Sequence, residues 1–195
     1  MIVSLCAAID HWGTTPDERA RRFPCDDVLP DHEQALFRAV TVEAPPPVVF
    51  RWLCQMKLAP YSYDLVDNRG RRSPQHLVPG VERLVVGERM LIFELASFAV
   101  DEHLTLLLRG HRVFGDVAMS YVVVPHGEGA SRLVGKVAIV PVGGVAGAVL
   151  RRVLPLGDLV MMRRQLLNLK ALAEATPPSA VAAIAAVATP PPDPA

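Results

Sequence analysis

The sequence predicts an α+β domain in which an antiparallel sheet meets one long helical segment at the C-terminus. Three observations predict it. Strand-like runs follow one another between residues 89 and 140 with only turn signals between them, a helix-period apolar face precedes them at 47–56, and a longer one follows at 158–175. Connections this short leave no room for crossover helices, so the strands pair as an antiparallel meander. At 195 residues the chain suits one domain with its own core.

Residues 1–9 are apolar, with no basic segment before them and no small-residue cleavage pattern after them, and read as the start of an N-terminal arm. The arm extends to residue 37, where Pro16, Pro24 and Pro30 stand among Asp17, Glu18, Asp26, Asp27 and Asp31. One short helix is expected near 16–21, with Thr15 as its cap, Pro16 at its first position and Glu18 at capping-box spacing. Residues 38–43, RAVTVE, alternate Ala39, Thr41 and Glu43 against Val40 and Val42 as an opening strand would. Ala44 to Pro47 ends it, and Val49, Trp52, Leu53 and Met56 then place one apolar face on a helix.

Five strands are expected at 89–93, 98–100, 104–109, 117–124 and 132–140, with turns such as Arg109-Gly110-His111 and His126-Gly127-Glu128-Gly129. In the last of them Leu133, Gly135, Val137 and Ile139 share one face and Arg132 and Lys136 the other, which predicts one wet side. A helical piece at 145–154 should be kinked or broken by Pro155 and Gly157 before a second piece at 158–175, with Asp158 as its cap. There Leu159, Met162, Leu166, Leu169 and Ala173 form one stripe that also contains Gln165. The Pro- and Ala-rich residues 176–195 show no face to bury and are expected to be a disordered tail. The expected organisation is thus an arm at 1–37, a domain at 38–175 and a tail at 176–195.

Twenty basic and twenty acidic residues cancel, which removes the usual electrostatic reason to expect nucleic acid or an anionic membrane as partner. Cys6, Cys25 and Cys54 are odd in number and lack metal-ligand spacing, so reduced thiols in the cytoplasm are expected, with no disulfide framework and no metal. The uncharged run 137–150 holds 14 residues with Pro141 and three glycines, short of the roughly 20 that a membrane span needs.

The order strand, helix, polar aromatic segment, meander and long helix, together with several motifs, resembles the START-like or SRPBCC superfamily of helix-grip, polyketide-cyclase-like proteins, in a bacterial branch. The motifs are His11-Trp12-Gly13-Thr14, Cys25-Asp26-Asp27, Val42-Glu43-Ala44-Pro45-Pro46, Trp52-Leu53-Cys54-Gln55-Met56 and Tyr61-Ser62-Tyr63-Asp64. Leu77-Val78-Pro79, Val86-Gly87-Glu88 and Met161-Met162-Arg163-Arg164-Gln165-Leu166 complete them. The resemblance covers about residues 10–175. Lys57, Ala59-Pro60 and Cys25 depart from the branch pattern beside the cavity mouth, so ligand preference does not transfer. It implies a helix-grip fold, an antiparallel sheet wrapped around the long C-terminal helix and enclosing an apolar cavity. Members bind lipids, sterols, polyketides or other hydrophobic molecules, and some are cyclases or dehydratases.

Within such a cavity Gln55, Tyr61, Tyr63 and Asp64, with Asp67, could line one end, the tyrosines supplying both hydroxyls and apolar area. The alternative is that the tyrosines pack beneath the arm while the aspartates cap or pair locally. Gln165, on the same helical stripe as Met162 and Leu166, is the sharper candidate, because a buried amide needs a partner and either a ligand or a backbone carbonyl would serve. His103, His111, Glu94 and Tyr121 lie on or beside the meander without a recognisable catalytic partner, and the histidines read as loop residues. Arg69, Arg71, Arg72, Arg83 and Arg89 read as a solvated basic face, and Gly143, Gly144 and Gly147 lack the Lys-Ser/Thr ending of a phosphate loop. Three functions follow: a cofactor-free carrier of a hydrophobic small molecule entered near the C-terminal helix, a cyclase or dehydratase on such a molecule, or a protein-interaction module.

Overall fold

A computed structural model describes residues 9–63, 70–177, 179, 180 and 183, with the side chains of 145 and 146 excepted. Asp64, Asp67, Arg69, Cys6 and most of the expected tail lie outside the described residues. Two short helices, α1 (Pro16–Ala20) and α2 (Pro24–Val28), precede strand β1 (Gln34–Val42) and helix α3 (Pro46–Cys54), which ends in a 3₁₀ turn at Gln55–Lys57. Strands β2 (Arg89–Met90), β3 (Phe93–Ala99), β4 (His103–His111), β5 (Gly115–Pro125) and β6 (Ser131–Val140) follow, and helix α4 (Gly144–Glu174) closes the chain. The six strands form one antiparallel sheet in the order β1-β6-β5-β4-β3-β2.

Alternation sorts the strand residues into two layers. Leu36, Val40 and Val42 of β1, Val117 and Tyr121 of β5 and Leu133, Val137 and Ile139 of β6 join Met162, Leu166 and Leu169 of α4 in the main core. The sheet therefore carries α4 along its inner face. Where the two approach the fit is close: a Cβ at Gly135 would stand 2.9 Å from the Cε of Met162, whose flexible end would have to move aside. The far end of α4 is fastened to β1 and the residue after it, since Lys170 donates to the Thr41 carbonyl at 2.7 Å and the Glu43 N–H donates to Glu174 at 2.8 Å.

The outer face is not the wet side the alternation predicts. Val134, Lys136 and Ala138 of β6 are buried, and Val134 and Ala138 form a second core with Phe37, Ala39 and Ala118 under Phe23, Cys25 and Leu29 of the arm. Asp26 of α2 pairs with the Lys136 ammonium, which lies over the Phe23 and Phe37 rings at 5.6 and 5.4 Å. The Cys25 N–H donates to Ser120 Oγ at 2.8 Å, so the arm is stitched to the middle of the sheet. Before α1 the chain runs along the free edge of β1, where the Ala39 N–H donates to the Trp12 carbonyl at 3.0 Å. Gly13 makes this approach possible: its φ is 76°, and a Cβ would lie 2.1 Å from the Ala39 oxygen.

Two further expectations are corrected. The run at 89–93 is not one strand, because Arg89 pairs with Glu94 and Met90 with Phe93 around a two-residue hairpin turn at Leu91 and Ile92, with Leu91 at φ 59°. Such turns favour Asn or Gly, and here apolar residues hide the signal. The break expected at Pro155 does not occur, since α4 is one helix of 31 residues with Pro155 inside. Proline removes the N–H that would serve the Arg151 carbonyl, and the Gln34 side chain donates to that carbonyl instead, at 3.3 Å. Asp158 is accordingly a residue of the helix interior and not a cap. The box at Thr15 and Glu18 forms as expected.

Candidate functional site

Between the inner face of the sheet and α4 lies a cavity of about 540 Å³. Its walls come from alternate residues of three strands, with Leu106 and Leu108 on β4, Val117, Met119 and Tyr121 on β5 and Val137 and Ile139 on β6. Leu154, Met161, Met162 and Gln165 of α4 cover it. The hairpin turn at Leu91 and Ile92 and the β4–β5 turn at Phe114 also line it. His111 organises that second turn: its Nδ1 accepts from the N–H groups of Val113 and Phe114 at 3.3 and 3.2 Å, and its ring stacks on Phe114 with centroids 4.7 Å apart. The imidazole is thus spent on the loop that positions Phe114.

Polar atoms in this apolar chamber are few and mostly committed. The Tyr121 hydroxyl donates to Gln165 Oε1 at 2.6 Å, and Gln165 Nε2 donates to the Pro60 carbonyl at 2.6 Å. The buried amide therefore finds a tyrosine and a backbone carbonyl. Tyr61, at φ 56°, turns the chain so that its own carbonyl accepts from Asn168 at 2.8 Å one helical turn further along α4. Burial, with the nearby Asp158 carboxylate adding to it, drives the Tyr121 hydroxyl far above its ordinary pKa, against the pull of Gln165.

Asp158 is the remaining polar group of the lining with a charge. Its Oδ2 stands 2.7 Å from a terminal guanidinium nitrogen of Arg38, which shares the inner face of β1 with Leu36 and Val40 and is wholly buried. Arg38 also donates to the Asp10 and Phe37 carbonyls at 2.9 and 2.8 Å and reaches the Pro155 carbonyl at 3.4 Å, while its Nε has no acceptor among the described residues. Burial pushes the Asp158 pKa up to about 6, with the Arg38 charge pulling the other way. The arginine is sealed behind the wall and the carboxylate belongs to the lining, so a ligand would meet the acid.

Among the residues singled out from the sequence, Gln165 and Met162 line the cavity. Leu166 lies in the core and not in the lining. Gln55 is also buried outside the lining, its amide donating to the His76 carbonyl at 2.8 Å. Tyr61 is buried edge-on against Trp52, with ring centroids 6.2 Å apart, and Tyr63 is 42 % exposed. Asp64 lies outside the described residues. Arg38 and Asp158 were missed, although each is the one charge on an otherwise apolar stripe: Asp158 stands four residues before Met162 and seven before Gln165.

Elsewhere, a groove of about 580 Å³ on the outer face runs between the arm and the β3–β4 turn, past Glu18, Arg21, Arg22, Glu102 and His103. Its charged lining suits it less well to an apolar ligand. Cys25 and Cys54 are free and buried, and burial pushes the Cys54 thiol up to about 12. Among the described residues no helix is long and apolar enough to cross a membrane, and no cluster of His, Cys, Asp or Glu is placed to hold a metal ion.

No protein-family model matches the chain, and no curated protein matches it in sequence. Solved structures similar to it include the Zhui aromatase/cyclase from a Streptomyces species, at 15 % identity and a TM-score of 0.47 over 72 % of this chain and 93 % of that one. The di-domain ARO/CYC BexL is similar at 15 % identity and 0.48, over 72 % of this chain and 46 % of that one. An HSP90 activator from Plasmodium falciparum is similar at 14 % identity and 0.42, over 66 % and 91 %. By its own strand order, and by the seat of α4 on the inner face of the sheet, the chain has a helix-grip fold.

Proposed function

We propose that the protein binds and carries a hydrophobic small molecule, lipid- or polyketide-like, in the chamber between sheet and helix. The observation that carries this reading is the cavity itself: about 540 Å³ walled by aliphatic, methionine and aromatic side chains, with its few polar atoms gathered around Gln165, Tyr121 and Asp158. That volume lies in the range of small-molecule pockets. Apolar burial at about 25 cal/mol per Å² would supply most of the affinity, and the Asp158 carboxylate would orient a ligand that carries a hydrogen-bond donor. No cofactor is needed for this role, and buried free thiols suit a cytoplasmic setting.

A cyclase or dehydratase acting on such a ligand is the second reading. Asp158 favours it, because a carboxyl held near 6 by burial beside a tyrosine is suited to move a proton near neutral pH. Native mass spectrometry of protein purified from its own host, followed by denaturing extraction, tests the first reading. A stoichiometric apolar molecule is expected. An empty protein that also fails to take up an apolar fluorescent probe would overturn the container, whereas an empty protein that does take up the probe would shift weight to transient substrate binding.

A further inference from the structure

The outward face of α4 carries a feature that the cavity does not use. Val149, Val153, Leu156 and Val160 are each between 50 % and 56 % exposed, and their spacing of four, three and four residues lines them up on one stripe of the helix. Residues 144–169 contain four arginines and a single acid, Asp158, which is turned inward and paired with Arg38. On the helical wheel Arg152 and Arg163 fall on one side of the apolar stripe and Arg164 on the other. Arg163 lies over the Trp12 ring at 5.4 Å, while Arg152 and Arg164 have no ion-pair or hydrogen-bond partner among the described residues. The charge balance of the whole chain conceals this local excess.

We propose that this face of α4 docks on an anionic lipid surface, with the stripe dipping among the acyl chains and the flanking arginines meeting acidic headgroups. An exposed apolar stripe bordered by arginines is the pattern of a helix that lies in a membrane interface, and long arginine side chains reach the headgroup level from such a position. A second copy of the chain fits less well, because pairing two such stripes would bring like-charged arginines together. The docking does not depend on what occupies the cavity, which lies on the opposite side of the helix.

Co-sedimentation of the full chain with vesicles tests it. The protein is expected to sediment with phosphatidylcholine vesicles containing phosphatidylserine, to stay in solution with phosphatidylcholine alone, and to be released by added salt. Leu156→Glu with Val160→Glu should abolish sedimentation. Arg152→Gln with Arg164→Gln should weaken partitioning by about twenty-fivefold, at roughly fivefold for each arginine near an anionic surface. All four side chains are on the surface, so circular dichroism and apolar-probe uptake should match the unsubstituted protein. Absence of sedimentation, sedimentation indifferent to phosphatidylserine, or variants that bind as before would overturn the proposal. So would a dimer in solution that Leu156→Glu dissociates, which would assign the stripe to a second copy.

Discussion

Arg38 of β1 and Asp158 of α4 meet at 2.7 Å across the wall of the cavity, the arginine fully buried and the carboxylate part of the lining. The pair fixes the middle of the helix, next to Pro155, against the first strand of the sheet.

The pH dependence of stability follows from that position. The folded protein holds the Asp158 pKa near 6, above the ordinary aspartate value of 3.8, so between those values the native state binds more protons than the unfolded state. Stability from this group therefore rises as pH falls from about 7 to 4, by up to about 3 kcal/mol. Urea unfolding of the wild type and of Asp158→Asn across that range measures it. The wild type should gain on the variant as pH falls, and parallel curves would refute the assignment.

Removing one member of the pair should cost more than removing both. Arg38→Ala leaves a buried carboxylate uncompensated and is expected to destabilise by about 3–5 kcal/mol at neutral pH. Arg38→Met combined with Asp158→Leu, which fills the same space without charge, should recover most of that loss. A double variant as unstable as the single one would show that the hydrogen bonds of Arg38 to the Asp10 and Phe37 carbonyls carry the stabilisation instead.

Blocking the cavity and disrupting the core should separate on neighbouring turns of one helix. Met161 lines the chamber, and Met161→Trp is expected to abolish uptake of an apolar probe with little loss of stability. Leu166 is wholly buried in the core, and Leu166→Trp should cost 1–3 kcal/mol or more through overpacking. Thermal melts and probe titrations on both variants decide the matter, and probe uptake retained in folded Met161→Trp would move the ligand elsewhere.

Gln165 holds Tyr121 and Pro60 together, so Gln165→Leu takes the donor from the buried Pro60 carbonyl and leaves the Tyr121 hydroxyl only the weak sulfur acceptors of Met119 and Met162. A loss of about 1–3 kcal/mol is expected. With Tyr121→Phe already in place the same change should cost less, and the difference from additivity in a double-mutant cycle measures the bond.

Much of the architecture was legible because it rests on local periodicity. The Thr15 box, the apolar face of α3 and the alternation of β6 all fold as their residues specify. The second helix of the arm was not legible, because its cap position is Phe23, which has no side-chain acceptor; Asp26 closes the turn by accepting from the Phe23 N–H at 2.9 Å. The fate of the Lys136 face was equally hidden. Whether an alternating strand has a wet side depends on what the rest of the chain lays over it, and here the covering comes from residues more than a hundred positions earlier. At the site, Gln165 could be found as a polar residue on an apolar helical face. Asp158 carried the same signal, but its place just after Pro155 and Gly157 imitated a helix start.

The stitch between Cys25 and Ser120 spans 95 residues, and it sets an order of events during synthesis. The arm leaves the ribosome before the strands it packs on, for its seat consists of Phe37 and Ala39 on β1, Ala118 on β5, and Val134 and Ala138 on β6. Until β6 has been made, Phe23 and Leu29 have no complete surface to bury against. Contacts so distant in sequence form late and slowly, so a segment translated well before β5 and β6 settles only after them. During that interval the nascent chain offers its apolar arm to any chaperone nearby.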